Sequence, residues 1–357
     1  MVHRGHRVTV LTSRYASSLA QCEDMDGVEI VRAPVAARVS KGVIMPTMPA
    51  WAWKLARQAD IVNLHLPQLD ASYISLIGRA LSRPVVLTYH CDLVLPRGAI
   101  HFVANQVSHL ANHIAAISAH KIVTNTQDYA EKSSFLSRYL QKVHVIQPPV
   151  ELLEVTQRDL DKFRVKAGLQ PGQRVIGMAA RLATEKGDEY LVQAIPTVLE
   201  TYPSARVLFV GQHRDVFGEE AYAERLAPQI KRLGDHWAFL GILPPDELAA
   251  FYKLIDILVL PSINSTESFG MVQVEAMTSG TPVIASDLPG VRQPVAMTGM
   301  GLIVPPADSL ELARAIIEML KAPEKFLRDP KPIAQRFSSA TIAMEYEEVF
   351  QEVISLG

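Results

Sequence analysis

Short apolar runs alternate along this chain with longer stretches in which apolar residues recur every three or four positions. The first pattern predicts strands covered on both faces and the second predicts amphipathic helices. Their alternation predicts βα units built on parallel sheets. In the first half, strands are expected at Val8–Leu11, Val28–Arg32, Ile61–His65, Val85–His90, Ile122–Asn125 and Val143–Ile146, with helices such as Ala71–Leu81 and Asp128–Tyr139 between them. The stretch Ile100–Ala119 spaces Val103, Val107, Leu110, Ile114 and Ile117 at alternating intervals of four and three. That spacing predicts a helix with one buried face.

The pattern breaks at Gln147-Pro148-Pro149-Val150. Two prolines cannot donate to a ladder or continue a helix, so a linker is expected there. It then restarts with strands at Val175–Ala179, Val207–Val210, Trp237–Leu240, Ile257–Leu260, Val283–Ala285 and Leu302–Val304, and closes with helices around Leu310–Leu320 and Ala340–Ile354. The reading is α/β, with a first domain over 1–150, a second over 151–336 and a closing helix in 337–357. A length of 357 residues suits two cores better than one. Ligands of such domains bind beyond the carboxyl ends of strands, and a hinge between two of them implies a cleft.

The chain opens on Met1-Val2-His3-Arg4-Gly5-His6-Arg7, which resembles the end of a helix followed by its glycine. A doubly wound domain normally begins with a strand, a glycine-rich turn and a whole helix. The expectation is that the first domain lacks its first strand and helix, and that loss of a central strand exposes two inner edges.

Composition narrows the class without naming it. Hydrophobic residues at 48% and charged residues at 20% are ordinary for a globular protein. The two cysteines, Cys22 and Cys91, cannot form a disulfide framework or a four-cysteine zinc site, so a cytoplasmic location is expected. No 18-residue run is apolar enough to span a bilayer. The net charge of −2 conceals 15 Lys and Arg against 9 Asp and Glu in residues 1–150, and 20 against 28 in residues 151–357. A basic half suits phosphates or an anionic membrane surface, and equally a scattered solvated face. No basic tract is interleaved with aromatics, so no nucleic-acid partner is expected.

The richest stretch runs from Pro261 to Met277. It leaves an apolar strand, turns through Ser-Ile-Asn-Ser-Thr-Glu-Ser and enters a helix near Phe269-Gly270. A helix amino terminus offers free N–H groups to an anion. Glu267 and Glu275, eight residues apart, could each accept hydrogen bonds from hydroxyls; read singly, they are a helix cap and an exposed helical glutamate. A second stretch, Val175 to Gly187, ends a buried strand in Ala-Ala-Arg and carries Arg181 and Lys186 on the following loop. Two cations there suit a diphosphate, or are ordinary surface charges.

Together these stretches resemble the large family of retaining, nucleotide-sugar-dependent glycosyltransferases with two facing Rossmann-like domains, the GT-B fold. Glu267 and Glu275 fill its Glu-x7-Glu pattern. Arg181 and Lys186, Gly280-Thr281-Pro282-Val283-Ile284-Ala285-Ser286 and Leu87-Thr88-Tyr89-His90 also match. The resemblance implies that Arg181 and Lys186 hold the donor diphosphate and stabilise the charge that develops as it leaves. It assigns the ribose hydroxyls to Glu275. The transferred sugar falls to Glu267 with the amides near Phe269 and Gly270, and His90 would face that sugar across the cleft. No metal or cofactor is implied, and configuration would be retained by front-face displacement. The closing helix would return toward the first domain. The wording around Glu267 is similar to enzymes of polysaccharide or glycolipid assembly, with a carbohydrate or lipid-linked acceptor.

The chain departs from the family where Gln-Pro-Pro-Val-Glu stands at the hinge, and where Gly211-Gln212 replaces a Gly-x-Gly turn. The same motifs admit two other readings: a nucleotide-sugar epimerase of the same fold, and a non-catalytic nucleotide-sugar binding module. His65, ending its strand, is an acceptor-side candidate, with a structural histidine as the alternative. His109 and His113 have metal-compatible spacing but no evident third ligand. Asp24-Met25-Asp26 matches the Asp-x-Asp of metal-dependent transferases but falls where a solvated turn is expected. Trp51 and Trp53 suit contact with a lipid-linked acceptor or a membrane interface, and equally core packing or an acceptor-loop contact.

Overall fold

The computed structural model describes residues 1–39, 42–92 and 99–355. It separates into two units, one of Met1–Thr124, Ser134–Ile146 and Ala343–Gly357, the other of Asn125–Ser133 and Gln147–Ile342. The first break between them in the Pro-rich region falls between Ile146 and Gln147.

The first unit holds separate sheets. Strands β1 (Val8–Arg14), β2 (Cys22–Met25) and β3 (Val28–Pro34) form one in the order β1-β3-β2, with β1 parallel and β2 antiparallel to β3. Asp26 and Gly27 join β2 to β3 with φ of 52° and 80°. Two left-handed residues make a two-residue hairpin turn whose twist matches its strands. Asp24 therefore lies within β2 rather than in the turn, and its Oδ1 accepts the Gly27 N–H at 3.0 Å. Strands β4 (Ala37–Val39) and β5 (Gly42–Ile44) pair antiparallel. After helix α1 (Met48–Ala56) come β6 (Val62–Leu66), α2 (Ala71–Ala80), β7 (Val85–Tyr89), α3 (Ala99–Ser118), β8 (Lys121–Thr124) and β9 (Val143–Val145). The four strands run parallel in the order β6-β7-β8-β9. Among the described residues, β1 pairs only with β3 and β6 only with β7, so each is an edge.

Helix α3 corrects one expectation. Its large apolar residues Val107, Leu110 and Ile117 are 52%, 63% and 68% exposed, while Ala111, Asn112, Ala115 and Ala116 are buried. Val103 lies outside the described side chains. The helix packs against α2, and its buried positions carry small residues, which suit close approach at interior packing density. The bulkier residues are left on the outer face.

The second unit begins with α4 (Gln127–Lys132). The helix expected to reach Tyr139 stops at Ser133, whose backbone is extended, and 3-10 turns follow at Leu136–Arg138 and Leu140–Lys142. Two adjacent serines compete for backbone hydrogen bonds and favour such a break. Segment 125–133 is tied into the second unit by side chains. Asp128 accepts from Arg292 Nε and Nη2 at 2.9 and 2.6 Å and from the Gly290 N–H at 3.0 Å, while Tyr129 Oη donates to the Ser265 carbonyl at 3.0 Å.

After α5 (Gln157–Lys166), the second sheet comprises β10 (Val175–Ala179), β11 (Arg206–Val210), β12 (Trp237–Gly241), β13 (Ile257–Leu260), β14 (Val283–Ser286) and β15 (Gly301–Val304). All neighbours are parallel, in the order β12-β11-β10-β13-β14-β15. Helices α6 (Asp188–Thr201), α7 (Glu220–Leu233), α8 (Pro245–Leu254), α9 (Met271–Thr278), α10 (Gln293–Thr298), α11 (Ser309–Lys321) and α12 (Pro330–Arg336) connect or follow these strands. One core gathers Leu191, Ile195, Leu226, Ile316 and Met319; a second gathers Phe163, Phe251, Tyr252, Val274 and Met277. Apolar cover on both faces is why β10, β11, β13 and β14 read as unbroken apolar runs.

The last helix, α13 (Ser339–Ser355), belongs to the first unit from Ala343 onward. Tyr346 Oη lies 3.3 Å from Thr88 Oγ1 on β7, and Lys121 pairs with Glu352 at 2.7 Å. Glu347 takes Arg4 Nε at 2.7 Å and His6 at 2.8 Å.

Candidate functional site

Strand order in the second sheet reverses between β10 and β13. The connections leaving those strands diverge to opposite faces there, and the carboxyl ends of strands at such a switch point are where doubly wound sheets bind their ligands. The loops that meet at this point are 180–187, 211–219 and 261–270, and each is bonded to another. Leu182 N–H donates to the Gln212 carbonyl at 2.8 Å, and Ile263 N–H to the Glu185 carbonyl at 3.1 Å. The approach is close enough to demand glycine. A Cβ on Gly211, at φ 128°, would stand 2.0 Å from the Ala180 oxygen; one on Gly187, at φ 72°, would stand 2.0 Å from the Pro261 oxygen. Gln212 closes its own turn by donating to the carbonyls of Arg214 and Asp215.

Loop 180–187 carries both predicted cations. Arg181 Nη2 donates to Glu185 Oε1 at 2.9 Å, with half of the arginine side chain exposed. Thr184 is held by Glu219 Oε2, which accepts from its N–H at 3.0 Å and its hydroxyl at 2.8 Å. Lys186 reaches across to the second loop, where its Nζ lies 2.6 Å from Glu267 Oε2. Beneath the turn Asp188 is fully buried at the start of α6, and its Oδ2 accepts the Ala183 N–H at 3.0 Å. Burial pushes this carboxyl up to about 8, against the partial pull of that amide and of Lys186.

Loop 261–270 is shaped by its small polar residues. Asn264 Oδ1 accepts from the Thr266 N–H and hydroxyl at 3.1 and 2.6 Å, which folds the turn that presents Glu267. Phe269 is buried. Gly270, at φ 79°, caps α9 where a Cβ would collide with Leu260 and Gln273. Gln273 donates to the carbonyls of Phe269 and Val291 at 2.8 Å each, fixing the loop to the helix it enters. Glu275 sits mid-helix, partly buried, and accepts from Tyr252 Oη on α8. Burial raises its carboxyl above the ordinary value, and the phenol's hydrogen bond offsets part of that rise.

Direct contact therefore joins Lys186 to Glu267, and backbone hydrogen bonds join their loops. Arg181 shares the lysine's loop, while Glu275 is anchored on the helix side. Reading the sequence missed Asp188, Tyr252 and the Asp128–Arg292 pair. None carries a motif, and each becomes visible only through the partner that folding brings to it.

The first unit places His65 on β6 and His90 just beyond β7. His65 Nδ1 lies 2.9 Å from His90 Nε2, the rings are nearly parallel, and the His90 N–H donates to the Leu66 carbonyl at 3.0 Å. Burial lowers the pKa of both rings, and at His65 the neighbouring His90 lowers it further. His113 is engaged by Tyr139 Oη at 2.7 Å and by Arg138 at 3.4 Å. Trp51 is partly buried under the Lys54 ammonium and Trp53 is 45% exposed.

Comparison with known proteins covers both halves of the chain. The model of the glycosyl transferases group 1 matches residues 159–337, and that of the glycosyl transferase 4-like domain matches residues 1–149. An uncharacterized glycosyltransferase of Methanocaldococcus jannaschii is 24% identical over 340 residues, covering 90% of this chain and 82% of its own. The 2-deoxystreptamine glucosyltransferase of Streptomyces kanamyceticus is 29% identical over 294 residues, covering 78% and 72%. The crystal structure of HepE of Anabaena, solved with UDP and glucose, superposes with a TM-score of 0.72 at 25% identity, covering 91% of this chain and 86% of that one. The two α/β units are the Rossmann-like domains of a GT-B protein, and the chain belongs to the group 1 glycosyl transferases.

Proposed function

We propose that this protein moves a sugar from a nucleoside diphosphate donor to a hydroxyl acceptor, with retention of configuration and without a metal ion. The observation that carries the reading is the junction of loops 180–187 and 261–270, where Lys186 and Glu267 meet beyond the switch point of the second sheet. Lys186 and Arg181 receive the diphosphate, supplying the positive charge that a leaving pyrophosphate needs. Glu275 accepts from the ribose hydroxyls. Glu267, with the Phe269 and Gly270 amides, orients the transferred sugar. His90 serves that sugar and His65 the acceptor side.

In the reaction the bond from the anomeric carbon to the β-phosphate oxygen breaks and a bond to the acceptor oxygen forms on the same face. The acceptor's proton passes to the departing phosphate. Stabilising that departing charge is where preorganised cations act most strongly. The neighbour crystallised with UDP and glucose makes uridine donors the first to test. We assign the acceptor to polysaccharide or glycolipid assembly. We place the protein in the cytoplasm, with peripheral membrane contact through the exposed Trp53; no helix among the described residues is long and apolar enough to cross a membrane.

The test is a panel of nucleotide sugars scored by thermal stabilisation and then by product analysis with candidate acceptors. Lys186→Ala and Glu275→Ala are expected to weaken donor binding strongly with the fold intact. Wild-type donor kinetics in both would overturn the site. Release of free nucleotide and an epimerised sugar without an acceptor would establish the epimerase instead.

A further inference from the structure

Among the buried polar groups outside the predicted site, Tyr252 has a partner of unusual consequence. Its side chain is fully buried on α8, against Phe251, and its hydroxyl donates to Glu275 Oε2 at 2.5 Å. Its backbone carbonyl also accepts the Thr281 hydroxyl at 2.6 Å, which ties it to the turn that follows α9. Thus one residue holds a side chain on α9 and the segment after it.

We infer that Tyr252 is the positioning residue for nucleotide ribose recognition, holding the Glu275 carboxylate in the orientation that takes the ribose hydroxyls. The inference rests on the donor role proposed for Glu275. An ionised carboxylate has about four acceptor positions. The phenol occupies one, on Oε2, and stops rotation of the carboxylate about its terminal bond. The remaining positions are left for a vicinal diol, whose two hydroxyls need acceptors at a defined angle. A carboxylate on a helix is otherwise free in its broad terminal torsion, and ordering it only when nucleotide arrives would cost affinity. Packing alone would be served as well by phenylalanine, which leaves no buried hydroxyl to satisfy.

The experiment titrates UDP, GDP, ADP and CDP into wild-type protein by calorimetry and takes the tightest forward with its 2′-deoxy and 3′-deoxy counterparts. Glu275→Ala and Tyr252→Phe are then compared, each with its thermal midpoint. Tyr252→Phe is expected to weaken the ribonucleotide about tenfold, the scale of one hydrogen bond to a charged group. It should change binding of the deoxy counterparts less than about threefold, so that selectivity for the ribose hydroxyls collapses. In the double variant the tyrosine change should add nothing to the glutamate change, as for residues that act through one contact. If none of the four nucleotides binds, or if Glu275→Ala binds like wild type, the donor reading itself fails and this inference falls with it. If Glu275→Ala is weakened but Tyr252→Phe keeps wild-type selectivity, or loses affinity equally for ribo- and deoxynucleotides, Tyr252 is a structural phenol and the inference alone is overturned.

Discussion

Lys186 cannot serve a diphosphate and Glu267 equally. Its Nζ lies 2.6 Å from Glu267 Oε2 in the free protein, with 21% and 17% of the two side chains exposed. An incoming diphosphate must compete with that carboxylate. Two unit charges at so short a separation and an effective dielectric of about 20 attract by about 6 kcal/mol, which bounds the competition from above. Exposed pairs are worth only about 0.2–1 kcal/mol, and this pair lies between the two environments. A separation cost of about 1–2 kcal/mol corresponds to a factor of about 5 to 30. Glu267→Gln removes the competing charge and keeps the size of the side chain. It is expected to bind UDP and inorganic pyrophosphate about 5- to 30-fold more tightly than wild type, while sugar transfer falls by at least about tenfold because the sugar loses its carboxylate. Lys186→Ala should do the opposite to binding. Calorimetry at low and moderate salt, with turnover measured on the same samples, reads both effects. If Glu267→Gln weakens UDP as much as Lys186→Ala does, at an unchanged thermal midpoint, the carboxylate presents the lysine rather than sequestering it and the reasoning is wrong.

Gly187→Ala places a Cβ 2.0 Å from the Pro261 carbonyl at φ 72°; a loss of about 2–4 kcal/mol in urea unfolding is expected, and a variant within 0.5 kcal/mol of wild type (roughly the noise of a surface change) would show that the loops need not touch. Asp128 is held below the ordinary carboxylate range by hydrogen bonds from Arg292 and Gly290 that overcome its burial. Its contribution is present above the unfolded-state pKa and is lost as pH falls through the lower folded value, so Asp128→Asn should cost about 1 kcal/mol at pH 7 and little in strong acid. Asp188 is shifted the other way, to about 8. Between its unfolded value and about 8 the unfolded chain ionises while the native carboxyl stays protonated, so Asp188 weakens the fold increasingly over that window. Asp188→Asn keeps an acceptor for the Ala183 N–H and should raise the unfolding free energy measured in urea at pH 7.5 by on the order of 1 kcal/mol; a lower stability there would mean that the carboxylate charge is needed.

The contrast between what the sequence disclosed and what it withheld follows from the same forces. Strands such as Val85–Tyr89 and Val175–Ala179 were legible because helices cover both faces of their sheets, which leaves no polar alternation to confuse them. Strand β2 was not, because Cys22–Met25 is a hairpin arm with polar and exposed residues and no apolar run. On α3 the size of the apolar residues misled: the buried positions carry Ala111, Ala115 and Ala116, while Val107, Leu110 and Ile117 are exposed. The candidate site divides the same way. Arg181, Lys186, Glu267 and Glu275 lie on two short stretches whose order along the chain carries the pattern. Asp188 looks like any acid in the first turn of a helix, where it would meet the dipole in solvent. Its meaning changes only because loop 180–187 closes over it. Tyr252 likewise reads as one more core aromatic until α9 brings a carboxylate to its hydroxyl. What sequence shows of a site is therefore the groups that would meet a ligand. The groups that would hold those groups still are chosen by packing, and they are found where a buried polar atom has a partner that would otherwise be free to turn.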